Sequence, residues 1–273
     1  MQKSRTPKRR LGKVETPPLN IDKPDGDQLS EWAAQLIDKG YLVIANALPP
    51  PAVDHFRERI AAMEPSLGYG SYSLVRLFEK GMDFVDLLLN EPIYTLMDRI
   101  FGERMHIIAL QAHRMHAGNE VLEFHSDEIY LQRPAEVSDD VDYPPIINTI
   151  NCHYYLVDVP QALGPTEVVP GSHRACRQPQ AEDGDPPNWR GQGPVSLTCS
   201  AGDCIVYSNQ MWHRGAPNQT DRTRLSVVPS YARRFVAQRF WPFLNYNLAR
   251  DILDQCTPQQ RELLGEHPRG AYG

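Results

Sequence analysis

The sequence predicts a mainly β domain with helices flanking the strands, and a change of hydrophobic periodicity predicts it. Helical periodicity dominates up to residue 101, strand periodicity runs from His106 to about Tyr231, and helical periodicity returns over 244–264. A run of strands between helical segments favours a barrel or sandwich with a helical cover, and not alternating βαβ units. With 273 residues, the chain is long enough to bury one sizeable core.

We expect a disordered tail over residues 1–26, followed by one domain over residues 27–273. The tail is polar and contains Pro17 and Pro18 after a basic run of Lys3, Arg5, Lys8, Arg9, Arg10 and Lys13. Basic, proline-containing segments are typical of disorder, although such a run can also attract anionic partners. No apolar signal region follows it and no run of 18 apolar residues occurs, so we expect neither secretion nor membrane insertion.

The first helix is expected to start at a cap formed by Asp27 or a neighbour and to end at Gly40. Short acidic side chains cap helix starts, and glycine favours the backbone conformation that ends a helix. The next predicted elements are a strand over 41–45 and helices over 51–63 and 84–101.

The strand region contains His125 and Asp127 in a His-x-Asp sequence, and His213 follows 86 residues after Asp127. Residues i and i+2 of a strand share a face, so the first pair could reach one metal ion. Two imidazoles and one carboxylate form the facial triad of non-haem Fe(II) oxygenases. A short His-x-Asp also occurs in solvated loops, so this spacing alone is a modest signal.

A hairpin would bring Arg224 to the same place. Residues 216–221 are rich in turn formers, and an apolar strand over 223–231 follows them. In an antiparallel hairpin, His213 and Arg224 would lie roughly opposite each other unless a bulge intervenes. A guanidinium near the metal could pair with the far carboxylate of a dicarboxylate co-substrate whose other end chelates iron. Arg222 is the alternative, but it lies in the predicted turn.

Several short motifs stand in order along the chain: His125-x-Asp127, Gly164-Pro165, Pro170-Gly171-Ser172-His173, Gly202-Asp203, Trp212-His213 and Arg224. Their order and spacing resemble the phytanoyl-CoA dioxygenase (PhyH) family of Fe(II)/2-oxoglutarate-dependent oxygenases. The resemblance implies a double-stranded β-helix, a jelly-roll or cupin-like barrel. It also implies that His125, Asp127 and His213 hold Fe(II), that Arg224 binds 2-oxoglutarate, and that O₂ is the oxidant.

The resemblance further implies that Asn151 and Thr166 help to hold 2-oxoglutarate, although Asn151 could serve only a strand end and Thr166 only a turn. Related enzymes that halogenate replace the carboxylate ligand by Ala or Gly, whereas this chain keeps Asp127. The expected reaction is therefore hydroxylation of a small organic molecule in specialised metabolism, with release of succinate and CO₂. Desaturation, epoxidation, cyclisation and endoperoxidation use the same kind of iron site and stay open.

Gln111 and His113 share one face of the strand before the metal ligands and are candidates for substrate contact, with structural hydrogen bonding as the alternative. Two long irregular segments, 133–143 and 174–194, are expected to cover the pocket, because long loops in compact domains are often lids. The first is acidic, which could attract an amine-bearing substrate or could be ordinary surface charge. The sequence defines neither the substrate nor the oligomeric state.

Charge and cysteine content bear on the partners and the compartment of the protein. A net charge of −6 argues against a nucleic-acid partner, and five cysteines without a Cys-x-x-Cys pair indicate reduced thiols in the cytoplasm.

Two other functions stay open, a metal-dependent cupin-type enzyme that does not use 2-oxoglutarate and a non-catalytic binding barrel. The first leaves Arg224 without a role, and the second leaves costly converging charges unexplained.

Overall fold

The computed structural model describes residues 14–64, 73–102, 105–118, 123–127, 132–134, 136–141, 146–238, 248 and 250–267. Its helices are α1 (Gly26–Lys39), α2 (Pro50–Ala61), α3 (Met82–Asp86), α4 (Ile93–Phe101), α5 (Arg250–Leu253) and α6 (Pro258–Leu263). Its strands are β1 (Tyr41–Ile44), β2 (Ser73–Leu74), β3 (His106–Met115), β4 (Thr149–Tyr155), β5 (Thr166–Val168), β6 (Val195–Leu197), β7 (Cys204–Ser208), β8 (His213–Gly215) and β9 (Arg224–Ala232).

Two antiparallel sheets form the β part of the fold. The large sheet has six strands in the order β1-β7-β4-β9-β3-β2, and the small sheet has three in the order β6-β5-β8. An apolar cluster between the sheets joins Tyr155 and Ile205 of the large sheet to Val168 and Leu197 of the small one. This is the mainly β architecture with flanking helices that the change of periodicity predicts.

Strict alternation gives the large sheet two different faces. On β4, Ile150, Cys152 and Tyr154 join the apolar core under the helices, whereas Asn151 and His153 line a cavity on the opposite face. Strands β3, β7 and β9 alternate in the same way. Because successive side chains of a strand point to opposite faces, one set of strands supplies both the core and the site.

The helical layer confirms the predicted caps and corrects one boundary. The side chain of Asp25 accepts a hydrogen bond from the Gln28 amide at the start of α1, and Gly40 ends the helix with φ 81°. The helix predicted over 84–101 is wrong as a single element, since α3 and α4 are separated by residues 87–92. Pro92 explains the break, because proline lacks the amide hydrogen and its ring disfavours helical backbone at the preceding residue.

The hairpin predicted between His213 and Arg224 is also wrong. Strand β8 pairs with β5, where Val168 lies opposite His213, whereas β9 pairs with β3, where Met115 lies opposite Arg224. The chain between them therefore crosses from the small sheet to the large one. Local periodicity predicts both strands, but only tertiary packing decides that they belong to facing sheets.

The ends of the described chain differ in part from the prediction. Within the predicted tail, residues 1–13 lie outside the described residues, but the amide of Asn20 donates to Asn90 Oδ1 at 3.0 Å, so that part of the tail packs on the domain. Of the helix predicted over 244–264, residues 244–247 and 249 lie outside the described residues, and the described part contains the short helices α5 and α6, the second capped by Thr257. Among the described residues, no helix has both the length and the apolar character needed to cross a bilayer.

Two buried histidines outside the cavity make stability depend on pH. Burial lowers the pKa of His106 and of His173 to about 4, compared with about 6.5 in an unfolded chain. The unfolded state thus binds more protons, and the stability present above about pH 6.5 is lost as the pH falls toward 4.

We expect the free energy of unfolding to fall by about 3 kcal/mol per histidine across this window. Urea unfolding at several pH values measures it. His173→Gln, which removes one titrating group, should flatten the profile. A wild-type stability that does not change between about pH 7 and pH 4.5 would contradict the expectation.

Candidate metal centre and co-substrate cavity

The His-x-Asp segment lies along residues 209–213 as an added short strand. His125 and His213 exchange both backbone hydrogen bonds, at 3.0 and 2.9 Å, and the Asp127 amide donates to the Asn209 carbonyl at 3.0 Å. The Ser126 hydroxyl also donates to the Gln210 carbonyl of the same stretch. The i, i+2 spacing thus brings His125 and Asp127 to one side.

Three side chains converge at this point: His125, Asp127 and His213 offer one ligand atom each, and all three atoms lie within 4.8 Å of one another. The Nε2 atoms of His125 and His213 are 3.6 and 3.7 Å from Asp127 Oδ1. Two imidazole nitrogens and one carboxylate oxygen on one side of a point are the donor set of facial-triad Fe(II) sites.

The tautomer of each histidine fits a metal ligand. His125 Nδ1 donates to the Glu123 carbonyl at 2.8 Å, and His213 Nδ1 donates to the Met211 carbonyl at 2.9 Å. A proton held at Nδ1 leaves the Nε2 lone pair free for a metal, which is the usual arrangement around metal-bound histidine. Burial lowers the pKa of His213 and favours its neutral form, whereas the hydrogen bond with Asp127 raises the pKa of His125.

Asn151 fixes the carboxylate. Its Nδ2 donates to Asp127 Oδ2 at 2.8 Å, and its Oδ1 accepts from the Ser230 hydroxyl at 2.5 Å. One carboxylate oxygen is therefore held by β4, while Oδ1 faces both imidazoles. The structure brings Asn151 to the candidate metal ligands through Asp127, a contact that the sequence did not predict.

We expect Asn151→Ala to weaken Fe(II) binding by about ten-fold, because groups that orient a metal ligand commonly contribute ten- to a hundred-fold to affinity. Competition against a chromophoric chelator measures the affinity. Asn188→Ala changes an exposed asparagine outside the cavity lining and serves as the control. Equal affinities of the two variants would mean that Asn151 does not orient Asp127.

Arg224 lies at the start of β9 and lines the same cavity as the three converging side chains. It is 8% exposed, and its Nη1 is buried without a hydrogen-bond partner among the described residues. Gly215 lets it approach β8, since a Cβ at that position would lie 3.1 Å from Arg224 Nη2. An unpaired buried guanidinium is costly, and a carboxylate in the cavity would pair with it.

Thr166 also reaches the cavity. Its hydroxyl forms a hydrogen bond of 2.8 Å with the Tyr155 hydroxyl, and both residues line the space beside Arg224. The cavity has a volume of about 310 Å³ and is also lined by Gln111 and His113, so the structure brings every sequence-predicted site residue to one place.

A model of the family described as phytanoyl-CoA dioxygenase (PhyH) matches residues 37–226, which is more than half of the chain. The chain belongs to the phytanoyl-CoA dioxygenase family. Members of this family use Fe(II), 2-oxoglutarate and O₂, so the chain is an Fe(II)/2-oxoglutarate-dependent oxygenase-type enzyme.

The chain is also similar to a curated relative and to solved structures. The dioxygenase FrzG of Cladobotryum sp is 26% identical over 223 residues, which cover 79% of this chain and 70% of FrzG. The epimerase SnoN in complex with Fe³⁺, α-ketoglutarate and nogalamycin RO has a TM-score of 0.62 at 21% identity, covering 82% of this chain and 92% of SnoN. HygX from Streptomyces hygroscopicus, with nickel, 2-oxoglutarate and hygromycin B bound, has a TM-score of 0.62 at 16% identity, covering 76% and 88%. These structural likenesses confirm the predicted jelly-roll fold.

Among the cavity residues outside the predicted site, two are polar and form a pair. His153 and Tyr207 line the cavity, and His153 Nε2 lies 3.0 Å from the Tyr207 hydroxyl. Burial lowers the pKa of His153 well below its usual value and raises that of Tyr207 well above, so both are neutral near pH 7. A signal for His153 existed, since it lies two residues after Asn151 and shares its face of β4.

The two segments predicted as lids pack on each other. The Arg177 guanidinium pairs with Asp139 of the first segment at 2.6 Å and with Asp183 of the second at 2.7 Å. It also lies over Trp212 at 5.0 Å, and the Trp212 indole donates to the Arg177 carbonyl at 2.8 Å. In this member of the family, Arg177 thus links the described parts of both loops to Trp212, the residue that precedes His213.

Proposed function

We propose that the chain is a hydroxylase that oxidises a C–H bond of a small organic molecule in specialised metabolism, with release of succinate and CO₂. One observation carries the proposal: two histidines, each with Nδ1 bonded to a backbone carbonyl, and a carboxylate converge in the cavity that also holds Arg224, whose buried Nη1 has no partner among the described residues. A metal-dependent enzyme without 2-oxoglutarate, or a binding barrel, would not explain why the Arg224 guanidinium is buried there.

In this proposal His125, Asp127 and His213 are the metal ligands. Fe(II), when bound, activates O₂ with electrons supplied by the oxidative decarboxylation of 2-oxoglutarate. The three residues that would hold the metal line the same cavity as Arg224 and Thr166. Their Nδ1 hydrogen bonds and the Asn151 contact hold them in position before the metal arrives.

Arg224 binds the far carboxylate of 2-oxoglutarate in this proposal. Its planar guanidinium can form two parallel hydrogen bonds with that group, and Thr166 can add a hydroxyl donor. Asn151 lies close enough to the ligand set to contact the near end of the same molecule while it holds Asp127.

Gln111 and His113 are proposed to contact the organic substrate. Both line the cavity, and His113 has no hydrogen-bond partner among the described residues. Burial lowers the pKa of His113 to about 4, so it presents a neutral imidazole to the substrate. A small substrate is supported by the volume of about 310 Å³ and by the small molecules named with SnoN and HygX.

The retained carboxylate of Asp127 supports oxygen transfer as the outcome. The epimerase SnoN and the carbocyclase SnoK have the same fold with different outcomes, so product analysis must decide the reaction.

We further propose that residues 27–273 act as one domain in the cytoplasm. The five cysteines are all free thiols, which suits a reducing compartment.

Anaerobic addition of Fe(II) and then 2-oxoglutarate to the apoprotein tests the proposal. We expect a visible metal-to-ligand charge-transfer band that needs both additions, and slow succinate formation once O₂ is admitted. Products from candidate substrates under ¹⁸O₂ would then be analysed by mass spectrometry, and hydroxylation predicts incorporation of one labelled oxygen. A folded, iron-loaded sample without the band would reject the use of 2-oxoglutarate.

A further inference from the structure

Gln178 pairs with the backbone of the residue between the two proposed ligands of the His-x-Asp segment. The Ser126 amide donates to Gln178 Oε1 at 2.8 Å, and Gln178 Nε2 donates to the Ser126 carbonyl at 2.8 Å. Two hydrogen bonds from one side-chain amide to one residue's N–H and C=O reproduce the pairing that a neighbouring strand would supply.

This contact adds hydrogen bonds on a second side of the segment. On one side, His125 exchanges backbone hydrogen bonds with His213, and the Asp127 amide donates to Asn209. On the other side, Gln178 occupies the place of an adjacent strand. Ser126 is 3% exposed, so its backbone groups need partners inside the protein. The short segment is therefore held from both sides.

The position of Gln178 is itself fixed by its neighbour in the chain. The Arg177 side chain is held by Asp139 and Asp183, and its carbonyl accepts from the Trp212 indole. Trp212 directly precedes His213. The same short stretch of loop thus contacts both chain segments that carry the proposed metal ligands.

We propose that Gln178 is a positioning residue for the metal centre, which keeps His125 and Asp127 oriented by pairing with the Ser126 backbone. The proposal rests on the proposed metal site, but not on the use of 2-oxoglutarate. Side chains fixed before the metal arrives bind it more tightly, because less conformational freedom is lost on binding. Without Gln178, rotation of the 125–127 backbone would separate the two ligands from His213.

Gln178→Met tests this with a side chain of similar length that cannot form either hydrogen bond. Gln192→Met is the matched control, because Gln192 is exposed in the same loop and lines no part of the cavity. Titration with Co(II), followed by its visible absorption, measures affinity without any co-substrate. We expect Co(II) to bind Gln178→Met about ten-fold more weakly than the wild type or the control.

Melting temperatures of the apoproteins separate positioning from loop anchoring. A residue that only anchors the loop would lower the melting temperature and leave Co(II) affinity unchanged, and that result would overturn the proposal. Adding 2-oxoglutarate to the Co(II)-loaded wild type tests the proposed function separately. An unchanged Co(II) spectrum there would reject 2-oxoglutarate binding, while weaker Co(II) binding by Gln178→Met would still support the positioning role.

Discussion

Asp127→Ala is expected to abolish Fe(II)-dependent succinate formation. We expect turnover to fall by more than about a hundred-fold. The substitution removes the only carboxylate of the candidate triad and leaves two imidazoles, and losing a ligand should cost more than the ten- to hundred-fold typical of groups behind a ligand. It also leaves Asn151 Nδ2 without the oxygen to which it donates. Succinate formation and the metal-induced rise in melting temperature measure the effect, because a ligand that binds only the folded state stabilises it.

Asp221→Ala is the control for this prediction. Asp221 is an exposed carboxylate in the segment between β8 and β9, and it does not line the cavity. Its substitution should leave both measurements unchanged. If Asp127→Ala kept turnover within a few-fold of the wild type, Asp127 would not be a metal ligand and the proposed centre would be wrong.

The local part of this site could be predicted from sequence because it depends on strand geometry. The i, i+2 rule places His125 with Asp127 and Gln111 with His113, and the structure brings both pairs to the cavity. The same rule applied to Asn151 would have found His153. Alternation is a property of the extended backbone itself and does not depend on the rest of the fold.

The assignment of strands to sheets could not be predicted in the same way. The turn-rich segment between His213 and Arg224 suggested a hairpin, yet β8 pairs with β5 and β9 with β3. Both residues still reach the cavity because the two sheets face each other across it. The sequence pattern is the same for a turn within one sheet and for a crossing between two sheets, so the choice comes from tertiary packing.

Contacts made by irregular segments were likewise beyond sequence reasoning. Gln178 contacts Ser126, 52 residues away in the chain, and Asp139 contacts Arg177 across two loops. Neither contact has a periodic signal, because a loop side chain finds its partner only after the sheets have set the loop ends. Loop length indicated a lid, but not which residues it would contact.

Arg224→Met should raise the KM for 2-oxoglutarate by about a hundred-fold, with a smaller effect on kcat. Truncating one partner of a buried, hydrogen-bonded charge pair costs about 2–5 kcal/mol, and about 2.7 kcal/mol corresponds to a hundred-fold in affinity. Methionine keeps most of the length and apolar stem of arginine and removes the guanidinium. The charge-transfer band and the rate of succinate formation, each measured against 2-oxoglutarate concentration, give the affinity and the KM.

The stability of the apoprotein provides a second, opposite readout. Arg224 Nη1 is buried without a partner among the described residues, so replacing the guanidinium should leave the melting temperature unchanged or raise it. A residue kept for folding would show the reverse. Arg222→Met is the matched control, because Arg222 is exposed two residues earlier and was the alternative carboxylate partner. A higher KM in Arg222→Met but not in Arg224→Met would move the co-substrate site to the turn. If Arg224→Met instead binds 2-oxoglutarate more weakly and its apoprotein is as stable as the wild type, Arg224 is a binding residue that is retained at a cost to the stability of the fold.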